Sequence, residues 1–162
     1  MSIDSQANTQ PQLIMMIGLP GSGKSFLAQQ LLKLHPSYHL ISTDAIRAQL
    51  FGHESIQGPW LAIFTQIKQQ FQQAVTQTAG AIYDATNAQR RHRRDLIQLA
   101  RESGFNPIIG IWVQTSVEQC LQRNQHRSRQ VPQEIILKMH RQLCDAPPSL
   151  TDGLDRLLTR QT

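Results

Sequence analysis

Several common kinds of protein are argued against by what this sequence has little of. Two cysteines among 162 residues, Cys120 and Cys144, have neither metal-ligand spacing nor companions. They read as reduced thiols on helices, which argues against a disulfide scaffold or a cysteine zinc site. No apolar run approaches the roughly 18 residues of a membrane span, and Met1 to Gln12 is polar without a signal-peptide core. The expectation is therefore a cytoplasmic protein with no membrane partner. Internal repeats and coiled-coil heptads are absent, and the six histidines are scattered, as suits surface or core positions. Aromatic residues make up only 6%. The stripe Trp60, Phe64, Phe71 keeps helical period, so it reads as core and weakens any claim of base stacking.

Lysine is also scarce, and that scarcity is informative: arginine outnumbers it twelve to four within a net charge of +5. Seven of the sixteen cations fall in two windows, Arg90-Arg91-Arg93-Arg94 and Arg123-Arg127-Arg129. A merely soluble surface could use lysine, whereas arginine's planar fork suits bidentate phosphate contacts. An anionic partner is expected. With 40% apolar residues the chain suits one domain with a real core, expected over residues 12–162 behind a disordered leader at 1–11.

The strongest single stretch is Gly18-Leu19-Pro20-Gly21-Ser22-Gly23-Lys24-Ser25, a full match to G-x-x-x-x-G-K-[ST]. It follows the apolar run Leu13 to Ile17, of buried-strand length, and precedes an amphipathic stretch from Phe26 to Leu32. The three glycines let successive backbone N–H groups point into one concavity, and the helix starting at Lys24 adds its positive end. Residues 18–26 are thus a candidate ATP phosphate cradle, with Lys24 reaching the β and γ phosphates and Ser25 ligating Mg²⁺.

The remaining chain alternates short strands with helices. Strands are expected near 12–17, 38–41, 81–84, 108–113 and 154–158, with helices near 24–34, 45–51, 59–78, from a cap at Asn87 to 103, 115–124 and 132–144. This order argues for an α/β fold, a parallel sheet of about five strands sandwiched by helices, with ligands beyond the carboxyl ends of the strands.

Polar groups fall at those ends. Asp44 follows the second strand and could orient an acceptor hydroxyl and take its proton, with Arg47 on the same helical face for an acceptor phosphate; it could also be a helix N-terminal carboxylate only. Asp84 ends the third strand in a Walker-B-like position, suited to Mg²⁺ or its waters, or simply to a turn. The arginines after Asn87 crowd a helix N-terminus, where each cation is unfavourable by about 0.3–1 kcal/mol. An anionic ligand would explain them, with Asn87 and Arg91 on the acceptor side, and so would a solvated face neutralised by Asp95 and Glu102. Arg123 and Arg127, spaced i and i+4, followed by Arg129 in a polar segment, read as an arginine lid over a triphosphate or as a solvated helix end.

The cradle, then Ser42-Thr43-Asp44-Ala45-Ile46-Arg47, then Tyr83-Asp84-Ala85-Thr86-Asn87 with its arginines, then Arg123-Asn124-Gln125-His126-Arg127 together resemble the kinase domain of 5′-hydroxyl polynucleotide kinases and their small P-loop relatives. Zeta-toxin-like kinases, seryl-tRNA kinases and antibiotic phosphotransferases share the layout. The resemblance covers about residues 13–158 and implies a P-loop NTPase fold of nucleoside-kinase type, ATP and Mg²⁺. It also implies Asp44 as general base, Arg47 on the acceptor's phosphate, and Arg123 and Arg127 as the lid. RNA or DNA 5′ ends lead as acceptors, with nucleosides, sugars and antibiotics as alternatives. A nucleotide-binding switch that uses ATP for conformation is the reading outside enzymes.

Overall fold

The run Leu13 to Ile17 is apolar at every position because both of its faces are covered. In a computed structural model that describes residues 10–162, it forms β1 (Gln12–Ile17), the middle strand of a five-stranded sheet ordered β2-β3-β1-β4-β5. The other strands are β2 (His39–Ser42), β3 (Gly80–Asp84), β4 (Ile108–Gln114) and β5 (Arg156–Gln161). Every pairing is parallel. The helices are α1 (Lys24–Leu34), α2 (Thr43–Phe51), α3 (Trp60–Gln77), α4 (Arg90–Ser103), α5 (Val117–Gln125) and α6 (Gln133–Asp145), with a 3₁₀ turn at Leu150–Asp152.

Alternation along β1 sends Leu13, Met15 and Ile17 into one core cluster and Ile14 and Met16 into the other. The first face is covered by α3 and α4, through Ile63, Ile67, Phe71, Leu96 and Ala100, while Ala28 of α1 is buried on the second. Each fully buried aliphatic side chain of this kind contributes about 1.5–3 kcal/mol.

Register then places the polar groups. Ser42 pairs with Asp84 across β2 and β3, so Asp44 begins a helix beside the strand that ends in Asp84. Met15 pairs with Tyr83, and the Gly18 N–H donates to the Thr86 carbonyl at 3.0 Å, which sets the glycine loop against the chain leaving β3.

Four sequence expectations shift. The leader expected at 1–11 lies, for residues 1–9, outside the described residues; Gln10 and Pro11 are tied down, accepting hydrogen bonds from the Asn106 side chain and backbone at 2.9 Å. β2 starts one residue later than its aromatic onset suggested, at His39, and ends one later, because Ser42 still pairs with Asp84 before its Oγ caps α2 by accepting from the Ala45 N–H. Asn87 does not cap α4; Gln89 holds that position, and Asn87 adopts a left-handed backbone with φ 50°. The last strand is Arg156–Gln161 and not 154–158, because Ser149 and Asp152 close a capping box that turns the chain first.

Candidate functional site

The glycine loop leaves β1 and enters α1 through Gly23, left-handed at φ 94°, with no side chain capping the helix. The first turn of α1 also lacks acidic residues, so its N–H groups and positive end remain open to an anion. The loop packs closely against the end of β4 and the chain that follows it. A Cβ at Gly21 would stand 2.7 Å from the Cys120 carbonyl, and one at Gly18 would stand 2.7 Å from Ser22 Oγ and 3.1 Å from the Val113 carbonyl. Larger residues would push the cradle out of shape.

In front of the loop opens a cavity of about 850 Å³. That is near the upper end of ligand pockets, roughly 300–1,000 Å³, and leaves room for two ligands. Pro20, Gly21, Gly23, Lys24, Ser25 and Phe26 line it from the cradle. Leu19 and Ser22 are buried behind that lining. Burial holds the Lys24 ammonium below its usual range, Asp84 and Asp44 pull it back up, and Arg127 opposes them. Four groups that are far apart in sequence therefore share one electrostatic neighbourhood.

Asp44 lies at the first turn of α2, its side chain 46% exposed. Its Oδ1 accepts from Arg47 Nη1 at 3.1 Å and its Oδ2 from Arg129 Nη1 at 3.1 Å, while Arg129 also reaches Glu54 at 3.3 Å. Two lone-pair positions of the carboxylate remain for a hydroxyl. Arg47 Nε and Asp84 Oδ1 are buried without a protein partner. Orphaned buried polar atoms of this kind ask for a ligand, an ion or water. Arg123 Nη1 donates to the Gly21 carbonyl at 3.2 Å, and Arg127 and Arg129 line the cavity from the segment between α5 and α6. Buried Asn124 braces that segment, donating to the Val131 carbonyl at 2.7 Å and accepting from its N–H at 2.9 Å.

A strand, a glycine loop with an uncapped helix, and carboxylates at the ends of two neighbouring strands make up a P-loop nucleotide site. A family model described as "AAA domain" matches residues 13–147. The chain belongs to that family. Within it the chain is a small P-loop kinase relative: it is 27% identical over 137 residues to the L-seryl-tRNA(Sec) kinase of Methanococcus maripaludis, covering 79% of this chain. The chain spans 51% of that relative's length. Two solved structures share the fold. One, from the Pnkp1/Rnl/Hen1 RNA repair complex, is 23% identical at TM-score 0.75 and is covered over 89% of this chain and 47% of its own. The other, a gluconokinase from Sinorhizobium meliloti, is 18% identical at TM-score 0.62, with 95% and 84% covered.

The P-loop kinase fold brings most of the sequence candidates into one cavity, and others it does not. Lys24, Ser25, Asp44, Arg47, Asp84, Asn87, Arg123 and Arg127 all line it. Arg91 is exposed and stands outside the lining. Asn87, although on the wall, turns its amide inward to donate to the Met16 carbonyl at 2.6 Å. Two of the arginines at the start of α4 answer to a partner that neither sequence explanation named. Arg93, fully buried, donates to Asp152 Oδ2 at 2.9 Å and to the Asn87, Ala88 and Ala146 carbonyls, and Arg90 joins it on Asp152 Oδ1 at 3.2 Å. The Ser149-x-x-Asp152 capping pattern was the available signal for that turn. Trp60 packs against the core as expected but also lines the cavity and stacks on His92, ring centroids 4.5 Å apart and planes 10° apart, while Phe71 is fully core. No helix among the described residues is long and apolar enough to cross a membrane.

Proposed function

We propose that this chain is an ATP- and Mg²⁺-dependent phosphotransferase that moves the γ-phosphoryl group to a hydroxyl, with a nucleic-acid 5′-OH as the acceptor. One observation carries the reading: the phosphate cradle and Asp44 face the same cavity, with Lys24 close enough to feel the Asp44 charge. In the transfer step Asp44 accepts the proton of the hydroxyl as its oxygen attacks the γ-phosphorus, and the bond to the β–γ bridging oxygen breaks to leave ADP. Lys24, Arg123 and Arg127 stabilise the charge on the transferring group. Such arginines can be worth 10³–10⁵ in rate.

Ser25 and Asp84 would hold Mg²⁺. Their fit is that of an ion bound mostly by phosphate oxygens and water: Asp84 Oδ1 is an orphaned buried oxygen, and no cluster of three or more ligating side chains occurs among the described residues. When bound, the ion neutralises charge on the phosphates.

The acceptor side rests on Arg47, whose buried Nε lacks a partner and suits a phosphate flanking the hydroxyl. The net charge of +5 and the arginines around the cavity favour a polyanion, and the seryl-tRNA(Sec) kinase and the RNA repair complex that the chain resembles both concern RNA. The test is transfer from γ-labelled ATP to a 5′-OH oligonucleotide beside a panel of nucleosides, sugars and aminoglycosides. Label on the oligonucleotide, weakening with rising salt, is the expected result; label confined to the small molecules would overturn the acceptor.

A further inference from the structure

One wall of the cavity has a character that phosphate chemistry leaves unused. Trp60, in the first turn of α3, and His92, in the first turn of α4, form a stacked pair, and both line the cavity. Ile63, on the same helix as Trp60, adds aliphatic surface to the cavity wall, and Gln89, just before α4, adds a carboxamide that can both donate and accept. Burial holds the His92 imidazole below its usual range, against the pull of Asp95. The ring at neutral pH is therefore an uncharged plane.

We propose that this wall is a nucleobase subsite: the stacked Trp60–His92 pair offers an outer ring face to the terminal base of the acceptor strand, and Gln89 meets its edge. The inference rests on the transferase reading above, whose acceptor it specifies. Two observations assign the subsite to the acceptor and not to the adenine of ATP. Asp44 follows β2, and Trp60 and His92 lie on the helices that enter and leave β3, on one flank of the central β1. Arg123 and Arg127 come from the chain after β4, on the other flank, and Arg123 donates to the Gly21 carbonyl of the glycine loop. A donor nucleoside carried by the cradle belongs with the second group. A base also uses the parts of the wall that a small polyol would leave idle, because every base has a flat π-face for the stacked pair.

The experiment measures binding and transfer separately. A 5′-OH trinucleotide and the same molecule with an abasic 5′-terminal residue are titrated by calorimetry, with ADP present, into the wild type, Trp60→Ala and Trp60→Phe. Loss of one stacked base predicts about 5- to 150-fold weaker binding of the abasic form to the wild type. Trp60→Ala should bind both forms with equal, weak affinity, and Trp60→Phe should keep most of the preference. Equal affinity of the wild type for the two forms, persistence of the preference in Trp60→Ala, or no binding of either would overturn the subsite. Transfer of label from γ-labelled ATP is followed in parallel. Base preference without transfer would uphold the subsite and sink the kinase reading; transfer indifferent to the base would do the reverse.

Discussion

Lys24 shows how a site residue acts against its own fold. Burial lowers the pKa of its ammonium from the usual 10.5, so the folded chain holds that proton less firmly than the unfolded chain does. At neutral pH the charge therefore costs stability, a cost that disappears only as pH climbs past 10.5. Lys24→Met should unfold at a temperature equal to or above that of the wild type at neutral pH, with the advantage shrinking in alkali. ATP should raise the melting temperature of the wild type and leave that of the variant unmoved; differential scanning fluorimetry reads both. The same scale shows what was legible in advance. The cradle was, because its chemistry is local: glycines and Lys24 do their work within eight consecutive residues. Asp44 and Asp84 were, because a strand's end is a place that sequence can mark. Trp60 and His92 were not, since neither means anything until α3 and α4 are laid side by side.

Helix α4 carries four arginines in its first five residues, and two of them are accounted for by Asp152. Arg93 and Asp152 are both fully buried in their side chains. Through the Asn87 and Ala88 carbonyls, the pair fixes the loop that forms one wall of the cavity. Removing one member strands the other, so Arg93→Met should cost about 3–5 kcal/mol in urea denaturation. The double variant Arg93→Met, Asp152→Leu should recover part of that loss. The segment between α5 and α6 depends on Asn124 in a similar way. Asn124→Ala leaves the Val131 N–H and carbonyl without their partner, a loss of about 1–3 kcal/mol. Hydrogen exchange should quicken first at residues 126–131, which hold Arg127 and Arg129. The sequence marked this segment by its arginine spacing. It gave no sign of the Asn124 brace, because an amide that bonds across a turn looks like any other polar helix residue.

At the scale of the whole molecule, parallel order was legible from apolar strands alternating with helices, and the carboxyl edge followed as the place for ligands. The order β2-β3-β1-β4-β5 determines which chemistry meets which: β1 delivers the phosphate cradle, the β3 flank brings Asp44 and the stacked rings, and the β4 flank brings the arginines. On the proposed reading, one cavity offers a donor side and an acceptor side joined at Asp44. The measurement that tests this most directly compares the wild type with Asp44→Asn for ATP affinity by calorimetry and for transfer of the γ-phosphoryl group to a 5′-OH oligonucleotide. The variant should bind ATP within about twofold of the wild type and transfer at least about 10²-fold more slowly, the loss expected for a general base. Transfer by Asp44→Asn at the wild-type rate would contradict the account.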